Sequence, residues 1–221
     1  MMRFLASFFL IFNLSSAEFK SYDAEFVFET KYGSFPLKRF FAVEGDKINT
    51  KVKMELLWFR YSLDSNFKIE NQQIVSIDTF VRDPFRDRPK KFKASFSKNG
   101  INSQELGNFE FTGSVLEQLS SDVQVRLNAK YGVKNYQLKI FDNTKAKVVT
   151  KNYQQLDSEI VSTSFGDIET IVVIAESEDV GPIKYFIAPS LDHIIIKSTA
   201  TLKDAEERVL IISDKPKFSE E

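Results

Sequence analysis

Few residues in this sequence could start covalent chemistry. His193 is the sole histidine and there is no cysteine. A Ser-His or Cys-His nucleophile therefore lacks partners, and no Gly-x-Ser-x-Gly elbow accompanies the histidine. His193 stands in Leu191-Asp192-His193-Ile194 at the start of an apolar run, so it reads as a turn residue facing Asp192 or solvent. Zinc and copper sites need clusters of histidine or cysteine, and the carboxylates form no Asp-x-Asp-x-Asp loop. The eight glycines stand singly, which leaves no glycine-rich cradle for phosphate. No catalytic residue, metal ligand or cofactor is assigned on these grounds.

Paired carboxylates could run acid and base chemistry on a glycosidic bond if two of them faced each other across a cleft. Asp157, Glu159, Asp167, Glu169, Glu176, Glu178 and Asp179 supply the number. Solvated strand faces account for them more simply, so a carboxylate-based glycan hydrolase ranks last among the functions considered. The densest local feature is Arg82-Asp83-Pro84-Phe85-Arg86-Asp87-Arg88-Pro89-Lys90-Lys91-Phe92-Lys93, with six basic residues to two acidic. A solvated hairpin loop, its arginines paired with Asp83 and Asp87, is the plain reading. The functional one is a rim patch in which Arg82, Arg86, Arg88, Lys90 and Lys91 meet an anionic lipid headgroup or membrane surface. Pro84 and Pro89 would hold that loop out of the sheet ladder. A second candidate is Leu56-Leu57-Trp58-Phe59-Arg60-Tyr61. There Trp58, Phe59 and Tyr61 would line a groove for an apolar ligand, with core packing as the favoured alternative.

The elements that must position these residues are mostly strands. Tyr22, Ala24, Phe26, Phe28 and Tyr32 alternate with Asp23, Glu25, Glu29 and Lys31, and period two means a strand with one buried face. The same register recurs over 48–54, 57–63, 75–81, 92–96 and 136–140. Turn signals stand between the runs: Glu44-Gly45-Asp46, Asp64-Ser65-Asn66, Asn99-Gly100, Asp142-Asn143, Phe165-Gly166-Asp167 and Lys203-Asp204. Short alternating strands joined by such turns make an antiparallel meander. The runs at 168–175, 183–188, 194–196 and 209–212 are more apolar and read as the more buried strands. One helix is expected from Gly113-Ser114 to Tyr131-Gly132, with Ser114 as cap and Glu117 three residues on as in a capping box. Val123, Val125 and Leu127 alternate, which blurs its second half. Ten or more strands must hide their edges, so the expected fold is a mostly β meander curled into a barrel or half-barrel with one short helix. A two-sheet β-sandwich is the alternative.

The 221 residues carry 30 basic and 31 acidic side chains, and a net charge of −1 argues against an electrostatically driven nucleic-acid binder. Met1-Met2-Arg3, the apolar run Phe4 to Leu14 and the small residues Ser15-Ser16-Ala17 make the three-part secretory pattern. Residues 1–17 are accordingly expected to be cleaved, leaving one β-rich domain over 18–214 and a frayed polar tail over 215–221. The apolar run is too short to span a bilayer, which takes roughly twenty helical residues. No cysteine follows the cut, so the lipoprotein route is closed and the expected location is the periplasm.

The order Leu116-Glu117-Gln118-Leu119-Ser120-Ser121, Val125-Arg126-Leu127, Glu159 to Thr170 around Phe165-Gly166-Asp167, and Tyr185 to Lys197 around Ala188-Pro189-Ser190-Leu191 resembles the bacterial exported proteins of domain of unknown function 3108. The resemblance would cover residues 22 to 212. Phe186 stands where that family has tryptophan, Ile194-Ile195 replaces a Leu-Pro step, and Glu117-Gln118 precedes Leu-Ser in place of aspartate. It implies an envelope location and a mostly β fold, and transfers no active site. The expected function is a non-enzymatic periplasmic protein that binds an apolar or amphipathic envelope component, such as a lipid, in a curved sheet. The alternative is an envelope scaffold that meets a partner protein through an edge strand and the basic loop.

Overall fold

A computed structural model describes residues 18–56, 59–87, 89–177, 181–201 and 206–219. Within them the chain forms β1 (Tyr22–Thr30), β2 (Gly33–Glu44), β3 (Lys47–Leu56), β4 (Phe59–Glu70), β5 (Gln73–Arg82), β6 (Lys91–Phe96), β7 (Gly100–Ser103) and β8 (Gly107–Glu110). The helix α1 (Gln118–Lys130) follows. Then come β9 (Asn135–Asp142), β10 (Lys147–Gln155), β11 (Glu159–Thr163), β12 (Gly166–Glu176), β13 (Ile183–Ala188), β14 (Ile194–Thr201), β15 (Glu207–Ile212) and β16 (Lys217–Phe218). All of these strands belong to one antiparallel sheet, which rules out the two-sheet sandwich. Its order runs β8 to β1 without a break, then β15, β14, β13, β12, β10 and β9. The strands β11 and β16 continue the edges offered by β12 and β1. The sheet is thus two meanders joined at the β1–β15 seam, where Phe26 pairs with Ile212.

Curling brings the two outer strands, β8 and β9, toward each other without closing the ladder. Phe141 of β9 packs its ring against Phe109 of β8 at 5.3 Å and Phe96 of β6 at 6.2 Å. Leu116 makes an isolated parallel bridge to Ile140. Side chains and one bridge therefore do what a ladder would do in a closed barrel, and the architecture is barrel-like but open.

The concavity is filled. The helix α1 lies inside the curl, with Leu119, Val123, Val125, Leu127 and Ala129 all buried. These side chains feed three core clusters, one centred on β1 and β14, one on β10, β12 and β13, and one on β5, β6 and β9. Burial of each such side chain contributes roughly 1.5–3 kcal/mol. An apolar stripe is not needed when every face of a helix meets protein, which is why Val123, Val125 and Leu127 alternate yet are helical. The expectation of a ligand lying in the concave face is corrected here, because the chain's own helix occupies it.

Three local expectations also change. The helix starts at Gln118, later than expected, and its cap is Glu117. That side chain accepts from the amides of Leu119 (2.9 Å) and Ser120, while the Glu117 amide donates to Ser120 Oγ at 2.9 Å. Ser114 lies in the preceding extended segment. Asp64-Ser65-Asn66 is not a turn but runs through β4, with a bulge between Asn66 and Phe67. There Asn49 donates to Asp64 and Asn66 at 3.0 and 2.9 Å, and Asn66 donates to Asp78 at 2.8 Å. Cross-strand amide and carboxylate pairs thus use these polar residues on the sheet face. The turn comes later, at Asn71 and Gln72, both left-handed with φ of 50° and 61°. The tail expected from 215 contains β16, whose Phe218 packs on Tyr22 at 6.1 Å. The turn expected at Lys203-Asp204 and residues 1–17 lie outside the described residues.

Candidate functional site

The two sequence candidates meet at one end of the sheet. Strand β4 starts at Phe59, and the loop between β5 and β6 reaches over it. The Phe59 and Phe85 rings lie 4.8 Å apart in an edge-on contact, and Phe85 is 70% exposed. Trp58 and Arg88 lie outside the described residues. The loop is built by its own backbone. Asp83 accepts from the Phe85 amide at 2.9 Å, its amide donates to the Lys90 carbonyl at 2.9 Å, and Lys90 Nζ donates to the Pro84 carbonyl at 2.9 Å. The Arg86 guanidinium lies over the Phe92 ring at 4.9 Å. Lys90 and Lys91 are exposed and Arg82 is half-buried. The tip therefore presents an exposed phenylalanine among cations on a braced loop. Tyr61 does not join it. That side chain points inward onto the cluster containing Leu63 and Phe92, and burial pushes its hydroxyl pKa far above the ordinary value, helped by Asp83 and Glu117. It packs partly buried against that core, away from the tip.

A second concentration of charge surrounds the helix. Arg126 is fully buried. Its guanidinium sits 4.3 Å from the Phe19 ring centre, 4.7 Å from Phe41 and 5.4 Å from Tyr22, within cation–π range. Its Nε donates to the His193 carbonyl at 3.0 Å and its Nη2 to the Asp192 carbonyl at 3.1 Å. Asp192 and His193 both adopt left-handed backbone, at φ 52° and 57°. His193 thus contributes its carbonyl to the interior, and burial lowers its imidazole pKa. Arg39 faces Asp122 at 3.6 Å. Burial raises the Asp122 carboxyl pKa against the pull of Arg39. Burial likewise pushes Glu117 up to about 7, against the two amides that it caps. Both raised carboxyls serve the helix. Glu159 pairs with Lys184 on the surface, Glu176 lines a separate shallow recess among amides, and Glu178 and Asp179 lie outside the described residues. Among the described residues no three metal-ligating side chains gather.

A third feature, at the end of β4 opposite the tip, has no signature in the sequence. A cleft of about 480 Å³ opens between the β4–β5 turn and β9. Asn71, Gln72, Gln124, Asn128, Gln137 and Lys139 are among its walls. Gln124 holds its floor, accepting from the Ile74 amide at 2.7 Å and donating to Asn128 at 2.9 Å. These residues come from three separate stretches of chain, and only folding collects them.

This architecture has a solved counterpart. The chain is similar in fold to a β-barrel-like protein of domain of unknown function DUF1849 from Brucella abortus, with a TM-score of 0.54 and 14% identity over 89% of this chain and 99% of that one. A structure of the Pseudomonas aeruginosa MucA/MucB complex aligns with 91% of this chain and 52% of its own, at 8% identity and a TM-score of 0.44, too distant to carry an argument. No protein-family model and no curated protein matches the chain, so the resemblance to domain of unknown function 3108 gains no support. The likeness to the Brucella protein is one of fold, and that protein's function is unknown.

Proposed function

We propose that the chain is an exported, non-enzymatic envelope protein that docks on an anionic lipid surface through the tip formed by the start of β4 and the β5–β6 loop. The observation that carries this reading is the contact between Phe59 and Phe85, which unites an aromatic strand end with the most basic stretch of the sequence. An apolar ring set among cations suits the headgroup boundary, where each Lys or Arg near an anionic surface is worth about 1 kcal/mol. A secretory pattern over residues 1–17 supports export. Phe19, buried against Arg126, and Glu18, which accepts from Tyr131 at 2.7 Å, lie after that cut and stay with the described fold. The non-enzymatic part rests on the engagement of the raised-pKa carboxyls, Glu117 and Asp122, in holding the helix.

Flotation of the mature chain with vesicles tests this, comparing pure phosphatidylcholine with mixtures containing phosphatidylglycerol. Trp58, the chain's one tryptophan and next to Phe59, gives a fluorescence readout. Co-flotation with anionic vesicles only, weakened by salt and by Phe85→Ala, with a blue shift of Trp58 emission, is expected. Equal behaviour with neutral vesicles, or no binding to either, overturns the reading.

A further inference from the structure

Strand β9 ends the sheet path, and its outer side carries only the single bridge to Leu116 among the described residues. Which of its backbone groups face outward follows from the ladder. The Gln155 amide donates to the Lys134 carbonyl at 2.7 Å, so even-numbered residues of this segment turn their polar groups toward β10. Odd-numbered ones turn theirs away, because the direction alternates along an antiparallel strand. The bridge to Leu116 shows the same parity. The Leu116 amide donates to the Lys139 carbonyl at 2.9 Å, and the Phe141 amide donates to the Leu116 carbonyl at 2.8 Å. The N–H and C=O of Gln137 and the N–H of Lys139 therefore point into the 480 Å³ cleft, those of Asn135 continue the same edge beside the neighbouring recess, and no described group bonds to them. The chain's own segment leaves this edge at Gly113, whose φ of +90° turns it away after a single bridged residue.

We propose that the cleft receives an extended peptide segment of a partner protein, which pairs with the free edge of β9 as an added strand. The site is distinct from the lipid-facing tip and stands or falls without it. Asn135 to Lys139 span about 16 Å as strand, room for roughly five peptide residues. Pairing supplies affinity through main-chain bonds, and alternate side chains supply specificity. Inward-facing positions would meet Tyr136, Leu138, Ile74 and Leu116, which call for apolar residues. Outward ones would meet amides and Lys139, the sole charged side chain of the lining, which calls for neutral or acidic residues. Continuity with the Leu116 bridge favours a peptide over a sugar, since that bridge already shows this edge accepting backbone.

The test is to pan the mature protein against a phage-displayed library of random peptides and to characterise a synthetic copy of an enriched sequence. The expected peptide alternates apolar with neutral or acidic residues. Its binding slows amide exchange at Asn135, Gln137 and Lys139, while Tyr136 and Leu138 are protected with or without it. Gln137→Pro removes one outward N–H without touching the β10 ladder, and edge positions tolerate proline. It should weaken binding about tenfold, the worth of one hydrogen bond. N-methylation along the peptide gives a second readout that leaves the protein unchanged, with losses at every second residue. Failure to enrich any peptide, binding that leaves the three amides exchanging as before, or methyl effects without a period of two overturns the proposal. So does retention of maltotriose in the cleft with those amides unchanged.

Discussion

Charge is concentrated in two places, around the helix inside the curl and on the tip outside it, and the two are built differently. Inside, Arg126 has three aromatic rings, two carbonyls and the Asp192 carboxylate around it. Glu117 has two amides and a serine that reciprocates. Outside, Lys90 holds one carbonyl and Lys91 is exposed. A charge taken out of water must be met by fixed partners, whereas a solvated one need not be. Interior charges thus specify where the helix sits, and tip charges stay free for a surface the protein meets.

The contrast would be broken if interior substitutions proved mild. Arg126→Met leaves the Asp192 and His193 carbonyls and the left-handed turn that carries them without a donor, and should cost about 3–5 kcal/mol in chemical denaturation. Glu117 sharpens the point through pH. Its carboxyl holds a proton up to about 7 in the fold against an ordinary 4.5, so the folded state binds that proton more tightly than the unfolded state. The stability it contributes is full below pH 4.5 and is lost as pH rises through 7, by about 3 kcal/mol. Glu117→Gln should remove that slope from denaturation midpoints measured across the window. Gln124→Leu strands the Ile74 amide and should cost about 1–3 kcal/mol. Gln72→Gly relieves a left-handed residue and should stabilise by about 1 kcal/mol, seen as a raised Tm. At the tip, reversing Arg82, Lys90 and Lys91 together to glutamate should change stability by no more than about 0.5 kcal/mol while abolishing binding to anionic vesicles.

The same division explains what was legible in the sequence. Strands β1, β3, β5 and β6 show one face to the core and one to water, so period two exposes them. The helix hides because all its sides are buried, and its cap hides because a glutamate buried at an N-cap is rare beside the serine that pattern favours. Polar residues in β4 imitate a turn because their partners, Asn49 and Asp78, come from neighbouring strands. The tip was half legible. Arg82 to Lys93 and Trp58-Phe59 are visible as runs, but only tertiary structure seats Phe85 on Phe59 and turns Tyr61 inward. The cleft was not legible, since Asn71, Gln124, Asn128 and Gln137 share no local pattern.

The β1–β15 seam sets an order of assembly. Phe26 finds its second neighbour in Ile212, so the earliest-made of the described strands keeps one edge open until β15 has been made. Such long-range pairing closes slowly, because loop entropy must be overcome before the contact forms. During that interval the β1 edge is exposed to other unfinished chains. Chains truncated before β15 should aggregate instead of folding to a smaller domain.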